Sequence, residues 1–123
     1  MSTNTTTLEK EPVNAGEVKQ LNKSHYRPVA DVYRDEKAVR VLLDLPGATQ
    51  EDIEVSVHND QLTVKAEVSR SESDLRVYER SFRVDHRMDT MQLEAVLENG
   101  VLELRIPYHE QALPRKIEVK SKL

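Results

Sequence analysis

The chain contains no cysteine, which excludes disulfides, thiolate metal sites and cysteine nucleophiles and makes a reducing interior a natural setting. It has no tryptophan and one phenylalanine, so a core must be built from Val, Leu and Ile and will be thin. Its three glycines, Gly16, Gly47 and Gly100, lie too far apart to cradle a phosphate, and ATP binding through a known loop type is not expected. No apolar run approaches the roughly 18 residues of a membrane span, and the first residues carry no apolar signal core. A basic excess is missing too: 18 Lys and Arg stand against 22 Asp and Glu. That balance argues against non-specific nucleic-acid binding, which needs basic patches to neutralise phosphates. The expectation is a cytoplasmic protein without cofactor, nucleic-acid partner or membrane.

At 123 residues the chain has room for one domain. Small, thin cores often lean on oligomerisation for stability. Residues 1–25 read as a polar arm in which Leu8, Val13, Val18 and Leu21 are sparse. That is too little apolar surface to offset the entropy of ordering it, so disorder is expected there. Residues 26–107 form the domain and residues 108–123 a C-terminal extension.

From Arg27 the apolar period becomes two. Val39, Val41, Leu43 and Leu45 share one parity, as do Ile53, Val55 and Val57, then Leu62, Val64 and Ala66. Tyr78, Phe82 and Val84 form another set, followed by Leu93, Ala95 and Leu97, and by Leu102, Leu104 and Ile106. Short alternating runs are the pattern of half-buried antiparallel strands. Asn99-Gly100 supplies the positive φ angles of a two-residue hairpin, and His58-Asn59-Asp60-Gln61 does so less ideally. Leu45-Pro46-Gly47 ends a strand, Thr49 and Asp52 suit a capping box, and residues 69–74 read as a polar loop. The fold expected is all-β, an immunoglobulin-like antiparallel sandwich of seven or eight strands.

Chemistry is hard to find. His25, His58, His86 and His109 are scattered, without the ligand spacings of a metal site. Ser24 beside His25, and Ser81 near His86, lack the glycines of a nucleophile elbow. No catalytic, cofactor-binding or metal-ligating residue is assigned, and an enzyme is not expected. Arg80 stands out because it shares the inward parity of Tyr78 and Phe82. It either snorkels to water from a strand end or sits at a subunit interface opposite a carboxylate. Ile117 and Val119 form an isolated apolar pair on a polar tail after Pro114. Such a pair has no core of its own to enter and suits an apolar groove, its backbone beside a strand edge.

Together these features resemble the small heat-shock proteins, the α-crystallin-domain (Hsp20) family, and the bacterial members in particular. The similarity runs from about Tyr26 to Val119. Ala95-Val96-Leu97-Glu98-Asn99-Gly100-Val101-Leu102 matches the family pattern A-x-x-x-N-G-V-L. Leu45-Pro46-Gly47 with Glu51-Asp52-Ile53, the run Arg80-Ser81-Phe82-Arg83-Val84, and Ile117-x-Val119 behind Pro114 add to it. The resemblance implies an ATP-independent holdase that binds partly unfolded client proteins and assembles as homodimers into higher homo-oligomers. It implies that the Ile117/Val119 tail docks in a groove formed by Ile53, Val55 and Val57 with Leu93, Ala95 and Leu97. It also puts Tyr78, Arg80 and Phe82 at the dimer interface.

Two features depart from the family. Family arms are rich in Phe and Leu, whereas this one is polar, so smaller or looser oligomers and weaker holding are expected. The region 69–76 is short for the strand exchange of bacterial and plant members, which leaves side-by-side strand pairing or a reduced exchange. A p23/CS-type adaptor with defined partners is the alternative, though such adaptors generally lack the Ile-x-Val tail. Ser121-Lys122-Leu123 matches a peroxisomal address in a host that has peroxisomes.

Overall fold

The structure is a computed structural model, described here for residues 21–122; the arm's residues 1–20 lie outside the described residues. The alternating runs form strands because a residue pair two apart lands on one face, where β-branched and Leu side chains pack well. Among the described residues eight strands result: β1 (Asn22–Tyr26), β2 (Ala30–Arg34), β3 (Ala38–Asp44), β4 (Ile53–His58), β5 (Gln61–Ser71), β6 (Asp74–Arg83), β7 (Glu94–Glu98) and β8 (Val101–Pro107). One sheet has the order β1-β6-β5-β4 and the other β2-β3-β8-β7. All pairs are antiparallel except β1 with β6, which run parallel.

Register sets the faces. Val39, Val41 and Leu43 lie opposite Ile106, Leu104 and Leu102, while Leu62, Val64 and Ala66 oppose Val57, Val55 and Ile53. These rows meet as one aliphatic layer in which Leu43, Leu45, Leu62 and Leu104 are completely buried. No polar or charged residue is buried among the described residues. The sandwich is thus held by dispersion and desolvation of aliphatic side chains.

The hairpins follow from their turn residues. Asn99 and Gly100 take φ of 51° and 77°, with Glu98 opposite Val101, the geometry of a two-residue turn whose twist suits the flanking strands. Asn59 and Asp60 do the same at 49° and 63°, between His58 and Gln61. The two turns also connect across the molecule: Gly100 accepts from the Leu45 amide at 2.7 Å, and Asp60 from the Val84 amide at 2.9 Å. A single 3₁₀ turn (Gln50–Asp52) leads into β4, with the Thr49 amide donating to Asp52 Oδ2 at 2.8 Å.

Three features differ from the sequence reading. Residues 22–25, assigned to the disordered arm, belong to β1, whose amides and carbonyls pair with β6 although its side chains are mostly exposed. Polar side chains are no obstacle on an edge strand, because backbone bonding does not depend on them. Residues 69–74 are not a loop; β5 runs to Ser71 and β6 begins at Asp74, leaving Glu72 and Ser73 as the connection. A register shift between Ser69 and Ser71 takes up the mismatch. The parallel pairing of β1 is also absent from an antiparallel reading, because hydropathy carries no information about strand direction.

Leu104→Ala should remove about 2–5 kcal/mol of stability by emptying the centre of the layer. Gly100→Ala should cost about 1–2 kcal/mol, because an L-residue is strained at its positive φ. Its added Cβ would meet nothing closer than Pro46 Cα at 3.6 Å. Urea titration at constant slope checks both values.

Candidate polypeptide-binding edges

A two-layer sandwich leaves two open sides, each flanked by one edge strand from each sheet. The sheet orders make β1 and β2 the edges of one side and β4 and β7 the edges of the other. Residues 27–29 join β1 directly to β2.

On the β4/β7 side, Ile53, Val55 and Val57 pair with buried Ala66, Val64 and Leu62 and therefore face inward. Ala95 and Leu97 pair with buried Leu104 and Leu102 and face inward too. Ile53, Val55, Leu93 and Leu97 pack against the core while staying half-exposed. Val57 remains 41% exposed, and Ala95 is also exposed. Each row ends at a strand with no neighbour beyond it among the described residues. The result is an apolar margin flanked by backbone groups that lack ladder partners. An extended polypeptide with side chains of period two fits such a margin.

The opposite side has different chemistry. The inner face of β6 carries Arg76, Tyr78, Arg80 and Phe82, opposite buried Val68, Ala66, Val64 and Leu62. Arg80 Nη1 donates to the Pro28 carbonyl at 2.8 Å, and its guanidinium lies 5.5 Å from the centre of the Phe82 ring. Arg76 lies 4.6 Å from the Tyr26 ring centre and donates to the Tyr78 hydroxyl at 3.1 Å. That hydrogen bond raises the Arg76 pKa above its ordinary value. Both Nε atoms are buried without a partner. A cleft of about 350 Å³ has an aliphatic floor that includes Val41, Leu62 and Ile106, and a rim of Arg27, Arg34, Arg80 and Arg83.

The site residues named from the sequence divide accordingly. Ile53, Val55 and Val57 on β4 and Ala95 and Leu97 on β7 face inward at the edges of the two sheets, and Leu93 packs against the core just before β7. Arg80 and half-buried Phe82 sit on the other side, with Arg80 bound inside its own chain. Tyr78 does not belong with them at a surface. It is 4% exposed and its hydroxyl donates to the Pro46 carbonyl at 3.2 Å, so it is a core residue of the single chain. Inward parity looks the same in sequence whether the position is central or marginal. Tyr26, Val29, Val32 and Tyr33 escaped notice, although all are exposed and Val32 lines the arginine-rimmed cleft. Their signal was the density of Tyr and Val between residues 26 and 33.

The tail leaves from β8. Tyr108 and His109 are tied by backbone bonds to Lys37 and Arg87, and a 3₁₀ turn (Glu110–Ala112) follows. Among the described residues nothing bonds to residues 114–122. Ile117 is 71% exposed and Val119 90%. This is an unoccupied apolar pair on an extended segment.

The sandwich agrees with the comparisons. The profile described as "Hsp20/alpha crystallin family" matches residues 31–120. The chain belongs to the Hsp20/alpha-crystallin family. Relatives include the probable 15 kDa heat shock protein of Leptospira interrogans, 32% identical over 118 residues, covering 89% of this chain and 90% of the relative. The 18 kDa heat shock protein of Streptomyces albus G is 36% identical over 107 residues, covering 76% and 75%. Among solved structures, heat shock protein 16.0 from Schizosaccharomyces pombe aligns with a TM-score of 0.63 at 25% identity, covering 79% of this chain and 99% of that one. A small heat-shock protein from Xylella fastidiosa aligns at 0.61 and 27% identity, covering 78% and 98%. Small heat-shock proteins are chaperones, and the family relationship carries that class of function to this chain.

Arg80→Met should destabilise the fold by about 1.5–3 kcal/mol, the range for a hydrogen bond to a charged group. Arg83→Met, on the exposed face of the same strand, should change stability by less than about 0.5 kcal/mol. Thermal unfolding of the two variants side by side tests the ordering.

Proposed function

We propose that this protein is an ATP-independent holdase that binds extended apolar segments of partly unfolded proteins along the β4/β7 margin and so prevents their aggregation. The observation that carries this reading is the row of inward-facing aliphatic residues that stays half-exposed at two unpaired strand edges. Folded monomers normally cover such apolar edges, because they recruit other chains. The chain's own Ile117 and Val119 match the margin in chemistry and in period and compete for it. Tail docking between copies builds assemblies larger than a dimer. Dimers form through the β1/β2/β6 side, with Arg80 and Phe82 at the contact. The protein works in the cytoplasm, and its polar arm keeps the assemblies small.

Holding is tested by light scattering of heated citrate synthase without ATP. The protein should suppress aggregation at a few-fold molar excess, and unchanged scattering would sink the proposal. Native mass spectrometry tests the tail: the full chain should give dimers and larger species. Ile117→Ala with Val119→Ala should leave dimers alone. A stable 24-mer in size-exclusion chromatography with light scattering would contradict the small assembly.

A further inference from the structure

The two partners of the proposed docking carry opposite charge, with Glu54 standing across from Lys65 and Glu94 across from Arg105 on the neighbouring strands. The cap and edge of β4 hold Glu51 and Glu54, and β7 holds Glu94 and Glu98. All four are exposed, and none forms an ion pair among the described residues. Glu54 alternates with inward Ile53 and Val55, and Glu94 and Glu98 alternate with inward Ala95 and Leu97. Carboxylates therefore stand along both rims of the apolar margin and leave its floor free. The tail has the complementary pattern. Arg115 and Lys116 precede Ile117, while Lys120 and Lys122 follow Val119, against the single carboxylate of Glu118. These cations also form no ion pair among the described residues.

Building on the docking reading, we propose that the β4/β7 margin selects its occupants by charge as well as apolarity. The segments it takes are extended stretches with two β-branched or Leu residues two apart, flanked on both sides by Lys or Arg. The tail is one such segment, and client segments of the same pattern displace it. Segments with acidic flanks are turned away, because like charges facing across a rim destabilise the complex. Aliphatic burial supplies the attraction common to all occupants, and the rims supply the discrimination. Rim charges are solvent-exposed, so their contribution is modest per pair and falls with salt. Occupancy of the margin, and with it the balance between tail-linked assembly and client binding, then depends on ionic strength.

The test uses the full chain carrying Ile117→Ala and Val119→Ala, so that its own tail does not compete. The probes are labelled peptides of residues 113–122 read by fluorescence anisotropy. One has the native sequence, one has Arg115, Lys116, Lys120 and Lys122 changed to Gln, and one keeps the cations but has Ala at 117 and 119. The neutral-flank peptide should bind about tenfold more weakly than the native one at low salt, from four rim interactions of a few tenths of a kcal/mol each. That gap should close as NaCl rises from about 0.05 M to about 0.5 M. Glu94→Lys with Glu98→Lys, both at exposed positions, leaves two cations against Glu51 and Glu54 and should close most of the gap between the native and neutral-flank peptides. Equal binding of native and neutral-flank peptides at low salt would overturn charge selection while leaving docking intact. If neither binds, or if the peptide lacking Ile and Val binds as tightly as the native one, the docking reading itself falls.

Discussion

The aliphatic layer between the two sheets is the interaction on which everything else rests. Leu43, Leu45, Leu62, Leu104 and Ile106 carry almost no exposure, and no buried polar network assists them. With one Phe and no Trp, the layer has little thickness and cannot wrap its own margins. The edge strands therefore bury only part of their inward side chains. What limits the stability of the monomer is also what leaves apolar surface for other chains.

The two margins then diverge through the residues that happen to line them. On β4 and β7 the inner rows are purely aliphatic, and the outer rows carry Glu54, Glu94 and Glu98 beside Ser56, His58 and Val96, which suits an extended apolar segment. On the β1/β2 side the inner row of β6 places Arg76 and Arg80 at the boundary of the core. Each guanidinium is held by a carbonyl, a hydroxyl or an aromatic face, without an ion pair among the described residues. A guanidinium tolerates this because it is planar, weakly hydrated and able to stack. The short connection at Glu72 and Ser73 removes the long exchangeable loop from this side, and β1 covers the first half of the β6 edge.

Much of this was legible in the chain. The period-two rows located β3, β4, β5, β7 and β8, because a half-buried strand has no other way to solvate one face. Asn99-Gly100 marked its hairpin, because few other pairs accept positive φ at both positions. The inward faces of Ile53, Val55, Val57, Ala95 and Leu97 were legible from shared parity. Parity put Tyr78 inward, where it is buried; the interface role came from the resemblance, since parity says nothing of distance from an edge. Composition failed for residues 22–25 and 69–74, where polar side chains lie on strands that the backbone ladder, and not hydrophobic burial, holds in place.

The sequence by itself determined the class of fold, the faces of the strands, the aliphatic nature of the core and the chemistry of the tail, since each follows from local order along the chain. Only the tertiary structure decided which strands end the sheets, that β1 runs parallel to β6, and that Arg80 bonds to Pro28 fifty-two residues away. Those facts depend on how distant segments stack and pair. Burial at a margin is a property of neighbours that local order does not encode.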